Sequence, residues 1–415
     1  MDRIVLLCDC NNFFASCEMR ENPALRDVPM AVAGDPERRT GVVVAKNELA
    51  KRFGVKTTDT VFAARRKCPG IVFVPPRHEL YARLSRQINA IYREYTDMAE
   101  PASIDESFLD VTVYTAGRWG DARDLADELR GRVRKEIGVT ISVGVSFCRT
   151  FAKMASEMKK PDGTTVIAPG DVEEKIWPLP VTDMPFVGRS AGETLKKHYI
   201  YTVGDLARAD RELLSRLLGK GGESLRRSAA GLDDAPVRRW DEREEVKSVS
   251  RGMTFKRDLV TEEEVRSGMS VLSDDVATQL RHLGMKGSVV QVNIKTPRLT
   301  TVSRQVSLPY GVCTRHEIVE ACMELIRANW HVGPGDPIRA LTVGVTHLIP
   351  QGEATEQTSL FDLMEDTPGS HAAREKQERL EAAVDKIRSK HGASSISAGW
   401  NGDDTLGIGE YHRRK

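Results

Sequence analysis

Ile4-Val5-Leu6-Leu7-Cys8-Asp9 and Ala102-Ser103-Ile104-Asp105-Glu106-Ser107-Phe108-Leu109-Asp110 are the two stretches that decide how this chain is read. The first is an unbroken apolar run closing on a carboxylate, the pattern of a strand covered on both faces. The second sets two adjacent carboxylates at the head of another β-like segment. If the two segments are neighbours in one sheet, Asp9, Asp105 and Glu106 converge. Three such acids suit a divalent-metal site, because Mg²⁺ is a hard cation held by a few carboxylates plus substrate phosphates. A pair of ions about 3.5–4 Å apart can clamp the attacking and leaving oxygens of an in-line displacement. The acids therefore point to phosphoryl transfer, although Asp and Glu are also common at strand ends as plain turn residues.

Outward from these stretches, residues 1–166 alternate between α and β patterns. Leu125, Leu129, Val133 and Ile137 recur every four residues and predict an amphipathic helix; Val139, Ile141, Val143 and Val145 alternate and predict a half-buried strand. Phe151, Met154, Ala155 and Met158 return to helical spacing and stop at Pro161-Asp162-Gly163. The result is a mixed sheet backed by helices, interrupted between Ala31 and Pro75 by a smaller lobe. From Thr182 to Asp233 short helices are punctuated by Gly188 and by Gly219-Lys220-Gly221-Gly222. A glycine turn opening a helix leaves backbone N–H groups free to hold a phosphate, with Lys196, Lys197, Arg226 and Arg227 adding charge; a plain helix pair is the alternative. Pro236 to Glu245 reads as a polar tether. Residues 246–349 form a second α/β unit, with strands around Val289–Lys295 and Ala340–Val345 and helices around Met269–Leu283 and His316–Trp330. Lys295, Arg298 and Arg304 are placed to follow a phosphate backbone or simply to solvate a sheet face. Beyond Pro350 the chain turns polar apart from Gln357-Thr358-Ser359-Leu360-Phe361-Asp362, whose Leu-Phe pair suits a docking peptide, and a further helix is expected from about Ala372 to Lys390.

Composition excludes several classes. The 415 residues are 40% hydrophobic and 29% charged, ordinary for a globular chain of two to four domains. With 61 basic and 60 acidic residues the net charge is +1, so any nucleic-acid contact rests on local basic surfaces. No stretch approaches the roughly 20 apolar residues of a membrane span, and no signal core follows the N-terminus, so a cytoplasmic, membrane-free protein is expected. The seven cysteines are dispersed without a C-x-x-C pair, which indicates neither a disulfide framework nor a zinc site. Cys8 and Cys10 read as small packed thiols.

At this point the order of motifs resembles the Y-family lesion-bypass DNA polymerases over nearly the whole chain. Asp9-Cys10-Asn11-Asn12-Phe13-Phe14-Ala15-Ser16-Cys17-Glu18 is similar to the family's first metal motif, Ser103 to Ser107 to its second, and Phe151 to Gly163 to its triphosphate helix. Lys220-Gly221 through Pro236-Val237 resembles the end of the thumb, and Lys247-Ser248-Val249-Ser250 to Thr254-Phe255 the opening of the little finger. The resemblance implies an α+β right-hand architecture: a ferredoxin-like palm (1–18 and 78–166), small fingers (19–77), a helix-hairpin-helix thumb (167–233), a linker (234–245), an α/β little finger (246–349) and a tail (350–415). It implies that Asp9, Asp105 and Glu106 hold two Mg²⁺ ions, with the Cys10 carbonyl as an extra ligand. Phe13 and Phe14 would line the nucleotide site, Phe14 as the steric gate against a ribose 2′-OH, and Lys51 and Lys160 would hold the triphosphate. Primer-template DNA would meet Gly188, Lys220, Gly221, Lys295, Arg298 and Arg304. Gln357 to Phe361 resembles a sliding-clamp peptide through Gln357, Leu360 and Phe361, and a monomer is expected.

Several positions depart from the pattern. Glu48 stands where many members carry a tyrosine, Lys51 where arginine is frequent, and Phe186 where the thumb turn has its first glycine. Asn11-Asn12 and Ala45-Lys46-Asn47 are more similar to the polymerase V catalytic-subunit branch, whereas the thumb and the palm helix lean towards polymerase IV. A palm-type nucleotide cyclase would explain the acids but not the later motifs. A non-catalytic DNA and clamp adaptor would have lost an acid, and none is lost.

Overall fold

The computed structural model describes residues 2–36, 39, 41–242, 245–351, 368–392, 395–396 and 404–409, with backbone alone for 368–373. The chain divides into two compact units, Met1–Pro36 with Gly41–Arg243, and Glu37–Thr40 with Glu244–Lys415.

The first unit is built on strand β1 (Val5–Cys10), whose six residues are all buried. It runs antiparallel to β6 (Glu106–Asp110) on one side and β7 (Ile141–Ser146) on the other, in a mixed five-stranded sheet ordered β5 (Ala99–Pro101), β6, β1, β7, β8 (Thr164–Ile167). The neighbouring of β1 and the Phe108 segment, on which convergence of the acids depended, is therefore real. The period of two sorts β1 between two faces. Ile4, Leu6 and Cys8 enter a core with Leu84 and Ile88 of α4 (His78–Arg93) and Leu125 and Leu129 of α5 (Trp119–Arg132). Val5 and Leu7 pack on the opposite face against Phe108, Val237 and Ala152 of α6 (Arg149–Met158). By the same alternation Asp9 belongs to the α6 face. Strand β7, expected to be half-buried, is buried throughout because helices cover both its faces.

Between β1 and α4 lie helix α1 (Phe13–Glu21) and the smaller lobe. The lobe is a three-stranded sheet ordered β3 (Val43–Lys46), β2 (Met30–Ala33), β4 (Val72–Val74), with α2 (Glu48–Arg52) and α3 (Val61–Lys67). Buried Asn47 ties it together, accepting from Met30 N at 3.1 Å and Ala50 N at 2.9 Å and donating to Val28 O at 2.8 Å. Four short helices follow β8: α7 (Arg189–Lys197), α8 (Val203–Arg208), α9 (Arg211–Leu218) and α10 (Lys220–Ala229). Side-chain caps from Thr202 and Asp210 start α8 and α9.

The segment read as a tether is instead laid along the sheet as far as residue 242. Val237 is buried in the core, Arg238 N donates to Glu100 at 2.9 Å, Arg149 donates to Pro236 O at 2.8 Å, and Trp240 N donates to Asp97 O at 3.1 Å. Of its charged side chains Arg238 is the anchor, its Nη2 donating to Glu100 at 2.9 Å.

The second unit is a four-stranded antiparallel sheet ordered β11 (Thr301–Val312), β10 (Met285–Lys295), β12 (Ile338–Pro350), β9 (Ser248–Leu259). One face is covered by α11 (Glu262–His282) and α12 (Arg315–Asn329) around a single apolar core. Helix α11 begins earlier than its apolar periodicity indicated, because Thr261 and Glu264 form a capping box. The expected late helix is α13 (Pro368–His391). It is docked by charge: buried Arg281 donates to Asp385 at 2.6 Å and pairs with Glu381 at 2.5 Å, and Arg388 pairs with Asp274 at 2.8 Å. Leu406 and Ile408 complete the core, so the polar tail contributes to the unit's packing.

Candidate active site

Asp9 and Glu106 stand opposite each other across the β1–β6 ladder and so share a face of the sheet. Asp105 precedes β6. Its carbonyl accepts from Cys10 N at 2.9 Å and its Oδ1 accepts from Ser103 Oγ at 2.7 Å. Together with Cys10, Phe14, Lys46, Thr57, Glu157 and Lys160 these acids line a cleft of about 420 Å³.

Helix α6 brings cations onto that face. Lys153 and Glu157 lie four residues apart, hence on one side of the helix. Lys153 Nζ pairs with Glu106, and Lys160 Nζ reaches Asp9 Oδ2 at 2.7 Å and Glu157 Oε1 at 2.8 Å. Burial pushes the Asp9 carboxyl up to about 7 against the pull of Lys160, with Glu106 adding to the rise. Burial also opposes ionisation of Glu106, but the bonded Lys153 ammonium and the Asp9 carboxyl outweigh it and hold Glu106 below the usual carboxylate range. Of the facing pair, Glu106 is thus the readier anion.

The donor set fits a hard divalent cation. Asp9, Glu106 and Glu157 offer carboxylate oxygens within 4.8 Å of one another, and two ammonium groups already sit against them as positive charge. Asp105 lines the same cleft outside that tight group, its carboxylate engaged by Ser103.

Both phenylalanines line the cleft; Phe13 is otherwise buried in the core, and Phe14 stacks on Tyr81 at 4.2 Å and 16°. Tyr81 is fixed from behind, donating to buried Glu18 at 2.7 Å, which also accepts from Arg77 Nε at 3.0 Å. Lys51 lies outside the cleft lining, mostly exposed and 3.6 Å from Glu48, which accepts from Asn12 at 2.9 Å. The lobe lysine that does line the cleft is Lys46, its ammonium pushed below the ordinary lysine value by burial and then by Lys51. Lys46, Lys153 and Glu157 were not singled out from sequence as site residues. The four-residue spacing on α6 could have found the last two, but nothing local distinguishes Lys46.

The remaining expected contacts fall elsewhere. Gly188 caps α7 with open space where a side chain would stand, and Lys220 and Gly221 open α10 after Gly219 at φ 62°. Lys295 and Arg298 are exposed in the second unit, whereas Arg304 is tied to Asn329 at 2.8 Å. Gln357, Leu360 and Phe361 lie outside the described residues. Among the described residues no helix is long and apolar enough to cross a membrane.

Three family models match the chain: the impB/mucB/samB family over residues 8–157, the IMS family HHH motif over 169–199, and the impB/mucB/samB family C-terminal domain over 246–360. Among curated relatives, the DNA polymerase IV of Acetivibrio thermocellus is 42% identical over 96% of this chain and 97% of its own. DNA polymerase IV 1 of Bacillus subtilis is 36% identical over 96% and 92%. Of solved structures, a Y-family DNA polymerase chimera of Dbh and Dpo4 superposes with a TM-score of 0.75 at 23% identity, covering 83% of this chain and 99% of that one. DinB from Sulfolobus solfataricus gives 0.55 at 22%, covering 83% and 98%. The expected α+β right-hand fold is borne out, and the chain belongs to the impB/mucB/samB family of Y-family translesion DNA polymerases.

Proposed function

We propose that this DNA-directed DNA polymerase extends primers past damaged template bases, with Asp9, Asp105, Glu106 and the Cys10 carbonyl holding two Mg²⁺ ions. The observation that carries the reading is the cross-strand pair Asp9–Glu106 at the floor of a cleft, with Asp105 beside it. Bound there, the ions would lower the pKa of the primer 3′-OH and neutralise charge on the departing pyrophosphate. The chain's own groups do the rest. Lys160 and Lys46 neutralise and position the triphosphate, with Lys51 further out on the lobe. Phe14, backed by Tyr81 and the Glu18–Arg77 pair, supplies the flat wall under the sugar that a 2′-OH would strike.

The assignment of palm, fingers, thumb, linker and little finger to the residue ranges expected from sequence belongs to the same proposal. So does the binding of DNA by Gly188, Lys220 and Gly221 and by Lys295, Arg298 and Arg304, the last once released from Asn329. Sliding-clamp capture by Gln357, Leu360 and Phe361 is proposed from their sequence alone.

Primer extension on plain and lesion-bearing templates tests the reading. Asp105→Ala and Glu106→Ala should each abolish Mg²⁺-dependent extension, a loss of at least about a thousand-fold, while DNA binding is retained. Undiminished extension by either variant refutes the assignment, and product formed from nucleotides without primer-template would favour a cyclase instead.

A further inference from the structure

Glu157 is an acid on the wall of a cleft that has to receive a polyanion, which by itself disfavours binding. Its side chain is half-exposed, in contrast to buried Asp9, and its Oε1 is already engaged by Lys160 Nζ at 2.8 Å. Lys160 follows the end of α6, and its ammonium bridges two carboxylates, Asp9 at 2.7 Å and Glu157 at 2.8 Å. A lysine is a flexible point charge that loses rotamer entropy when fixed, so what holds it decides how well it is presented. On the proposed reading Asp9 is claimed by divalent cations, and Lys160 then loses one of its two partners. Glu157 is the partner that remains.

We infer that Glu157 is a positioning residue: it retains the Lys160 ammonium at the cleft wall once Asp9 is engaged by metal, so that the incoming triphosphate meets a cation already in place. This inference rests on the polymerase reading and adds to it a residue that touches neither the nucleotide nor the metal. The alternative role, a third carboxylate ligand, is open to Glu157 by proximity alone.

The test uses the full chain on a primer-template with a dideoxy-terminated primer, measuring equilibrium binding of the next dNTP in Mg²⁺, alongside steady-state kinetics on an extendable primer. Glu157→Gln should weaken dNTP binding about five-fold, the effect of one charge-assisted bond at a partly exposed site. KM should rise in step while kcat stays within about two-fold. Glu157→Asp should restore part of the loss, and Glu157→Gln combined with Lys160→Gln should lose no more than Lys160→Gln alone. Unchanged dNTP affinity in Glu157→Gln, or a fully additive double variant, overturns the inference. Weakened Mn²⁺ binding by nucleotide-free Glu157→Gln also overturns it, in favour of a metal ligand. A wild-type chain that neither binds dNTP nor extends primers overturns the underlying reading, a failure distinct from these.

Discussion

Phe186 sits at φ 67° with its ring 92% exposed, between buried Met184 and buried Val187. A bulky residue in the left-handed region costs about 1–2 kcal/mol relative to its preferred conformations, and the exposed ring gains no packing in return. That φ is one glycine adopts freely and a residue with a Cβ does not. Phe186→Gly should therefore stabilise the chain, the relief of strain exceeding the extra unfolded-state entropy of glycine by about 0.5–1 kcal/mol. Urea denaturation reads this directly; a lower midpoint for the variant would show that the φ is not a strained one. At the same scale, Lys46 and Lys51 show why a site residue can be misplaced from sequence. Both are lysines on one small lobe, five residues apart, and only the way β3 runs into α2 decides that Lys46 lines the cleft and Lys51 does not.

At the scale of elements, the site depends on how closely α6 lies on the sheet. A Cβ on Gly144 of β7 would stand 1.9 Å from Ala152 O and 2.5 Å from Ser156 N, both backbone atoms of α6 that cannot swing aside. Gly144→Ala must push the helix off the sheet, at about 3 kcal/mol or more. The same displacement withdraws Lys153 and Glu157 from Glu106 and Lys160, so extension should fall further than the folded fraction does. Denaturation paired with primer extension separates the two effects, and a variant with wild-type stability would refute the close-contact argument. Strand β1 was legible because an apolar run ending in Asp admits one reading once a sheet is granted, and the acids followed from it. The α6 periodicity was legible too, and with it the face that carries Lys153 and Glu157. The segment from Pro236 to Glu242 was not, because its anchors pair with Glu100, Arg149 and Asp97, more than eighty residues away in sequence. A charged stretch looks the same whether its partners are water or distant side chains.

For the molecule as a whole, charge pairs hold segments that apolar burial alone would leave loose. Helix α13 is seated on the second unit by the buried triad Arg281–Glu381–Asp385, an arrangement costly to break because one unpaired member stays in low dielectric. The first unit uses the same device at Glu100, which is buried and accepts from Arg149 at 2.7 and 2.9 Å and from Arg238 Nη2 and N at 2.9 Å. Burial alone would raise the Glu100 carboxyl, but the bonds from Arg149 and Arg238 prevail and hold it below its ordinary 4.5. A depressed carboxylate contributes stability that is fully present above the unfolded value and is lost as pH falls through the folded one. Glu100→Gln should therefore cost about 2–3 kcal/mol at pH 7, where wild-type Glu100 is ionised and two arginines lose their counter-charge in the variant. The gap between the two proteins should narrow progressively below about pH 4.5, first as Glu100 of the unfolded wild-type chain takes up a proton and, lower still, as the folded one does. Denaturant midpoints at pH 7 and pH 4 measure it: a gap that is the same at both, or that widens in acid, would mean that the ionised Glu100 is not what fastens residues 235–242 to the sheet.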